Sequence, residues 1–407
     1  MALRWLLPVL LFSGFSVSAG GLEIKALDNE QGELVFKTAD SGTVHHSYRI
    51  EVSTSLVSAA WSVCSTAGGV GAAASVTNLV TADSPSMFYR VVATSNSAVF
   101  VDGEYMVVDL SGGTGAVTYA VEYYPGASAV PGGVTNDTYK MDKLIMRKIP
   151  KGAFTMGSPS GELGRDSNET QHQVTLTKDF YIGVFEVTQR QWELVMGDRP
   201  SFFNNATYYQ TRPVEHVSYY DIREAPSNLD DPAVDWPANA VVNATSFIGK
   251  LRSKTGLSTF DLPTESQWEY ACRVGTTTAL NTGYNLTSAI SDPRMAVAGR
   301  YWFNGGSGMY TQNGDTRIGT AKAGSYLPNA WGLYDMHGNV WECCLDWYGT
   351  YPGTVADPLG GASGSSRVGR GGCWDGYAYY CRAAFRGYFN PDYRSINFGF
   401  RVARTLP

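Results

Sequence analysis

Between Asn329 and Glu342 the chain reads Asn329-Ala330-Trp331-Gly332-Leu333-Tyr334-Asp335-Met336-His337-Gly338-Asn339-Val340-Trp341-Glu342, a run with neither helical nor strand periodicity. Gly338 and Asn339 tolerate positive φ, so the backbone can turn back on itself between Asp335 and Glu342. A loop of this kind aims carboxylates and main-chain carbonyls at one point, as a hard cation requires. The stretches 198–212, 222–237 and 276–320 are also poor in periodicity. So much irregular chain excludes a simple layered fold and calls for internal staples, either bound cations or disulfides.

The composition points the same way. With 45 glycines, 25 tyrosines and 10 tryptophans in 407 residues, loops and short strands are favoured over helical bundles. A formal charge of −6 leaves no basic patch for nucleic acid or anionic lipid. The histidines at 45, 46, 172, 216 and 337 lack metal-ligand spacing, which argues against a histidine-built zinc or iron site. His337 reads as a loop residue bonded to main chain.

Met1 to Ala19 has one basic residue, Arg4, an apolar stretch from Trp5 to Phe15, and small residues at Val17-Ser18-Ala19. This is the pattern of a secretory signal peptide cut after Ala19. The apolar run is too short to span a bilayer, and no later segment is long enough either. The expectation is an exported protein, periplasmic, cell-surface or secreted. An oxidising compartment favours disulfides among Cys64, Cys272, Cys343, Cys344, Cys373 and Cys381. A bond between the neighbours Cys343 and Cys344 is strained, so one of them at most joins a structural bridge.

Along the chain, residues 22–96 read as a small all-β domain, sandwich-like, with strand signals at 33–36, 48–52 and 88–92. Residues 97–142 form a connecting region. Its segments 105–110 and 117–123 are two strands, standing alone or opening the next domain. That domain occupies 143–407. Within it, 187–196 is a helix started by a threonine cap. The segment 263–272 is a helix with Thr264 as N-cap and Gln267 completing a capping box. A third helix covers about 242–252.

Several pieces of this domain form a recognisable series. They are Gly152-Ala153-Phe154-Thr155-Met156-Gly157-Ser158, Phe185-Glu186-Val187-Thr188, Leu262-Pro263-Thr264-Glu265, Trp268-Glu269-Tyr270-Ala271, the run 329–342, Arg370-Gly371-Gly372, Cys381-Arg382-Ala383-Ala384-Phe385-Arg386 and Gly399-Phe400-Arg401. Through them, residues 144–402 resemble the formylglycine-generating enzyme (sulfatase-modifying factor) superfamily. The resemblance implies an α+β, C-type-lectin-like fold with little regular secondary structure. It implies oxidation of a cysteine to formylglycine in sulfatase-type substrates, using copper held by two thiolates. Counted from Arg370, the family's first copper cysteine falls on Gly376 and the second on Cys381, while the family serine falls on Cys373. The catalytic and copper-binding candidates are therefore Cys373 and Cys381, because linear copper(I) needs two soft thiolates. Cys272 and Cys344 are further candidate partners for Cys381.

The resemblance also places a calcium ion on the side chains of Asp335 and Glu342 with the carbonyls of Gly338 and Val340, a ligand spacing that suits calcium. A second calcium would use Asp315 and the carbonyl of Arg317, with Asn304 as a further candidate. Trp341 and Trp347 read as core. Trp374, Tyr377, Tyr379 and Tyr380 could line a groove for peptide or sugar. The alternative function is a non-catalytic, calcium-stapled, lectin-like module binding a peptide, glycan or protein partner.

Overall fold

The computed structural model describes residues 103–224, 236, 242–306 and 318–406; before residue 103 it describes only the backbone of short strands. The chain divides into two compact units, Met1–Asp102 and Gly103–Pro407. In the first, strand His46–Ser53 pairs antiparallel with Phe88–Ser95 on one side and Ser62–Gly68 on the other, and Leu34–Phe36 pairs with Ala74–Val76. The Trp5–Phe15 stretch, the Cys64 side chain, Asp315 and Arg317 lie outside the described residues.

The second unit is a mixed α/β body with little helix. Its strands are β1 (Tyr105–Asp109), β2 (Val121–Tyr124), β3 (Lys143–Ile149), β4 (Gly152–Met156), β5 (His172–Leu176), β6 (Phe180–Gly183) and β7 (Phe260–Asp261). These are followed by β8 (Trp341–Trp347), β9 (Val355–Ala356), β10 (Arg367–Arg370), β11 (Gly387–Phe389), β12 (Phe398–Gly399) and β13 (Ala403–Thr405). Among the described residues they form an antiparallel six-stranded sheet, β2-β1-β3-β6-β13-β7, a three-stranded sheet, β4-β5-β9, and a four-stranded sheet, β11-β10-β8-β12. The segments around 105–109 and 121–124 are thus built into the sheet of this unit.

Both faces of the large sheet are covered. Met106, Val108 and Tyr181 enter one cluster with Trp192, Leu194, Phe247 and Leu251; Tyr105, Val107 and Ile145 enter another. On β6 the alternation of side chains sends Phe180 and Ile182 to a third cluster with Trp268 and Ala271. Such two-sided burial is why β1 reads as a nearly continuous apolar run, Tyr105-Met106-Val107-Val108, and why Leu144-Ile145-Met146 of β3 does the same.

The main helices begin where their caps say. Helix α1 (Gln189–Met196) starts at Thr188, whose side chain accepts from the Gln191 amide while Gln191 closes a capping box; it stops at Gly197, φ 94°. Helix α2 (Phe247–Thr255) starts later than the sequence pattern indicates, because Ser246 is the residue that caps the Gly249 amide. Helix α3 (Glu265–Arg273) repeats the capping box with Thr264 and Gln267.

The staples are ion pairs. Buried Arg370 bonds Glu269 and the carbonyls of Ala383, Ala384 and Phe385. Arg386 grips Glu265 at 2.6 and 2.8 Å, and Arg382 holds Glu162 at 2.6 Å and Glu169 at 2.7 Å. Among the described residues the expectation of disulfides is corrected. Cys272, Cys343, Cys344, Cys373 and Cys381 are all buried free thiols. Cys343 and Cys344, neighbours on β8, point into different core clusters, and the Cys272 sulfur faces His337 Nε2 at 3.8 Å.

Candidate functional site

The loop after β10 carries the thiols. Gly371 and Gly372 both adopt positive φ, 89° and 74°, which turns the chain sharply before Cys373. A side chain at 372 would have its Cβ 2.6 Å from the Cys381 sulfur, so only glycine lets the two ends of the loop close on each other. Cys381 ends the short 3-10 turn Ala378–Cys381, and its sulfur receives the Cys373 amide. The Cys373 thiol donates to Asp375 Oδ1 at 3.0 Å, and Asn397 Nδ2 donates to the same oxygen at 2.9 Å. The Cys373 sulfur lies 3.4 Å from where a Cβ at Gly376 would stand. It therefore borders the space that a cysteine at 376 would fill.

Neither thiol is activated. Burial pushes Cys381 up to about 12 despite the Cys373 amide. Burial, then the Asp375 carboxylate, raises Cys373 well above the ordinary thiol range, and the neighbouring Cys381 adds to it. At neutral pH both are protonated, so a metal must displace protons to bind them. As a pair of soft donors on one closed loop they fit a copper(I) ion.

Trp374 is a core residue, 5% exposed, edge-on to Phe203 at 5.3 Å with its indole N–H on the Ile396 carbonyl. Trp341 and Trp347 are buried as well. The ring open to solvent on this loop is Tyr377, followed inward by Tyr379, which lies against Tyr380 at 4.0 Å. Tyr380 stands edge-on to Phe385 at 5.0 Å.

The 329–342 run makes the turn its composition implies, with positive φ at Asp335 (57°), Gly338 (88°) and Asn339 (66°). Gly338 passes so close to the Arg300 carbonyl that no Cβ fits between them. Glu342 is clasped by Arg401 through both oxygens and accepts from Trp268 Nε1 at 2.6 Å. Asp335 Oδ2 accepts from the Gly324 amide at 2.6 Å, while its buried Oδ1 has no hydrogen-bond partner. A third buried acid, Glu186, accepts from Asn339 Nδ2 at 2.6 Å and the Val340 amide at 3.1 Å. Burial and the neighbouring Asp335 and Glu342 charges raise Glu186 well above the carboxylate range. Burial lifts Asp335 to about 6. In the sequence Glu186 stands out only as part of a motif; its place beside a loop more than a hundred residues away is a tertiary fact.

Among the described residues, no three His, Cys, Asp or Glu side chains gather closely enough to hold a metal. The calcium candidates divide accordingly. The bare Asp335 oxygen fits a cation, whereas Glu342 already has its positive charge from Arg401. Asn304 is occupied, accepting from the Tyr301 amide at 2.7 Å and donating to the Gly299 carbonyl at 2.9 Å. His337 bonds main chain at both nitrogens, Nδ1 to the Cys381 carbonyl at 2.7 Å and Nε2 to the Asn281 amide at 3.0 Å. Burial lowers its pKa to about 4, so it is a neutral strut behind the thiol loop.

Comparison with known proteins places this framework. A family model described as the sulfatase-modifying factor enzyme 1-like domain matches residues 134–406. A protein named chaperone protein LppX from Paenibacillus barcinonensis is 32% identical over 288 residues, 67% of this chain and 92% of the relative. The formylglycine-generating enzyme of Mus musculus is 27% identical over 320 residues, 72% of this chain and 83% of the enzyme. That of Streptomyces coelicolor is 28% identical over 312 residues, 69% and 94%. Among solved structures, Treponema denticola variable protein 1 aligns with a TM-score of 0.49 at 27% identity, covering 65% of this chain and 96% of its own. Through its C-terminal two thirds, this chain belongs to the formylglycine-generating enzyme (sulfatase-modifying factor) superfamily.

Proposed function

We propose that the protein is an exported oxidase of the formylglycine-generating type, acting on a cysteine in a sulfatase-type peptide, with Cys373 and Cys381 as its copper-binding pair. The observation that carries this reading is the position of the Cys373 sulfur, 3.4 Å from a Cβ built at Gly376. Cys373 thereby stands in for the thiol that the resemblance expects there. Bound to both sulfurs, copper would activate dioxygen as the oxidant that converts a peptide thiol to an aldehyde, the sulfur leaving as sulfide and an external thiol supplying the two electrons that complete reduction of the second oxygen atom to water. The chain's own residues have simpler tasks. Asp375 Oδ1 holds the Cys373 proton by hydrogen bond, His337 fixes the Cys381 carbonyl, and Tyr377 and Tyr379 offer ring faces to an approaching peptide. The leader at 1–19 supports export, and the C-type-lectin-like reading of the fold belongs to the same family expectation. Calcium would be held at the Asp335 end, by Asp335 with the carbonyls of Gly338 and Val340, Glu342 staying on Arg401.

The test is copper(I) titration against a chromogenic chelator for the wild type, Cys373→Ser and Cys381→Ser. It is paired with mass spectrometry of a sulfatase-type cysteine peptide incubated with the copper-loaded protein. One equivalent of copper lost in both variants, with conversion of the peptide thiol to aldehyde, supports the reading. Copper uptake that ignores both substitutions sinks it. What then remains is a non-catalytic holder of peptide, glycan or protein, consistent with the exposed Tyr377 and with a relative named a chaperone.

A further inference from the structure

A second site lies away from the thiol loop. The start of α3, the end of β8, the start of β5 and the loops at 349–352 and 358–361 enclose a cavity of about 210 Å³. Its chemistry comes from His172, Glu265, Asp346, Trp347, Tyr351 and Arg386. Pockets for drug-sized ligands run to about 300–1,000 Å³, so only a smaller molecule fits.

The charges inside are already spent. Glu265 is held by both arms of Arg386 and accepts from the Tyr351 hydroxyl at 3.2 Å. Asp346 accepts the Glu265 amide at 2.7 Å through Oδ2. Burial, reinforced by Glu265, pushes its carboxyl up to about 8, so it is mainly uncharged at neutral pH. Three polar groups keep unused capacity. Trp347, only 2% exposed, has an indole N–H without an acceptor. Its ring is fixed by the Arg367 guanidinium lying over it at 3.3 Å. His172 is anchored through Nδ1 to the Thr170 carbonyl at 3.0 Å and lies tilted against Tyr351 with ring centres 4.3 Å apart, leaving a buried Nε2 with no partner. Asp346 hydrogen-bonds through one oxygen alone.

We propose that this cavity binds one small uncharged polyol, a single sugar ring or a sugar alcohol of similar size. Paired internal charges disfavour an ionic guest, since a net charge there would lie buried without a counter-ion. The free groups are one donor, one acceptor and one carboxyl able to act as either. Hydroxyls, which donate and accept, satisfy all three. The aromatic rings of Trp347 and Tyr351 supply apolar wall for the C–H faces of such a molecule. The rival occupant is a cluster of ordered water, which a polar cavity of this volume can also hold.

The experiment is isothermal titration of the full chain with D-glucose, D-galactose, N-acetyl-D-glucosamine and ribitol, for the wild type, Trp347→Phe and His172→Phe. Trp347→Phe keeps a ring and removes the one indole nitrogen, His172→Phe keeps a ring and removes both imidazole nitrogens, and thermal melting checks that each variant folds. The expected result is saturable heat with at least one polyol, weakened about ten-fold by loss of the Trp347 hydrogen bond and reduced in His172→Phe. Should Trp347→Phe fail to fold, His172→Phe decides alone. Absence of saturable heat with all four, or equal binding in every folded variant, overturns the proposal. So does a crystal soaked in whichever polyol gave saturable heat, if it shows water alone in this cavity.

Discussion

The ion-paired frame and the thiol loop of this domain are built on opposite rules. In the frame, buried charge is answered by charge: Arg370 by Glu269, Arg386 by Glu265, Arg382 by Glu162 and Glu169, Arg401 by Glu342. In the loop, two protonated thiols sit among rings with Asp375 as the acceptor of one of them. The frame determines where the loop stands, since Arg370 bonds the carbonyls of residues 383–385 immediately beyond Cys381. It does not determine what the loop does. The family's motifs lie largely in the frame and the proposed copper pair in the loop, so the two can change separately.

The sharpest way to break this contrast is Arg370→Ala. It strips Glu269 of one partner and frees three buried carbonyls, and should cost about 3–5 kcal/mol, the range for an uncompensated buried charge. A urea melt reads it; a loss under about 1 kcal/mol would mean the pair is dispensable and the contrast overstated. Next is Gly338→Ala, where the new Cβ collides with the Arg300 carbonyl at a positive-φ residue. Overpacking of that kind predicts a loss of about 2–3 kcal/mol in the same melt.

A pH test probes a frame acid without a full ionic partner. Asp346 titrates higher in the folded state than unfolded, so it binds its proton more tightly when folded. Its contribution is complete below the unfolded value, about pH 4, and is lost as pH rises through about 8. Asp346→Asn should therefore gain on the wild type between pH 5 and 9 by on the order of 1–2 kcal/mol. Parallel stability curves for the two proteins would refute the shift. The smallest effect belongs to the loop: Cys373→Ser should change stability by about 1 kcal/mol, while removing copper uptake under the proposed function. A melt matched with a metal titration separates these readouts.

How much the sequence discloses depends on the range of the interactions concerned. Caps act over three residues, and Thr188 with Gln191 and Thr264 with Gln267 are legible because both partners sit in one short window. The turn at Gly338-Asn339 is legible for the same reason. The free state of five cysteines is not: whether Cys343 or Cys344 finds a partner depends on which core cluster each faces, and that is decided by strands far away in sequence. Glu186 beside Asn339 and Arg401 on Glu342 are likewise pairings across the whole domain. The relation of Cys373 to Gly376 needs the backbone path through two glycines of positive φ, which a count along the chain cannot supply.

The order of the large sheet has a consequence for how the molecule is made. Strand β1 near the start of the domain pairs with β3, β3 with β6, and β6 with β13, which ends at Thr405. No chain that stops short of β13 can finish that sheet, because β6 and β7 both wait for this one strand as their partner. Long-range closure of this sort is slow and leaves open edges exposed meanwhile. Strand β13 thus serves as the latch of the whole sheet, and everything paired through β6 stays provisional until it arrives.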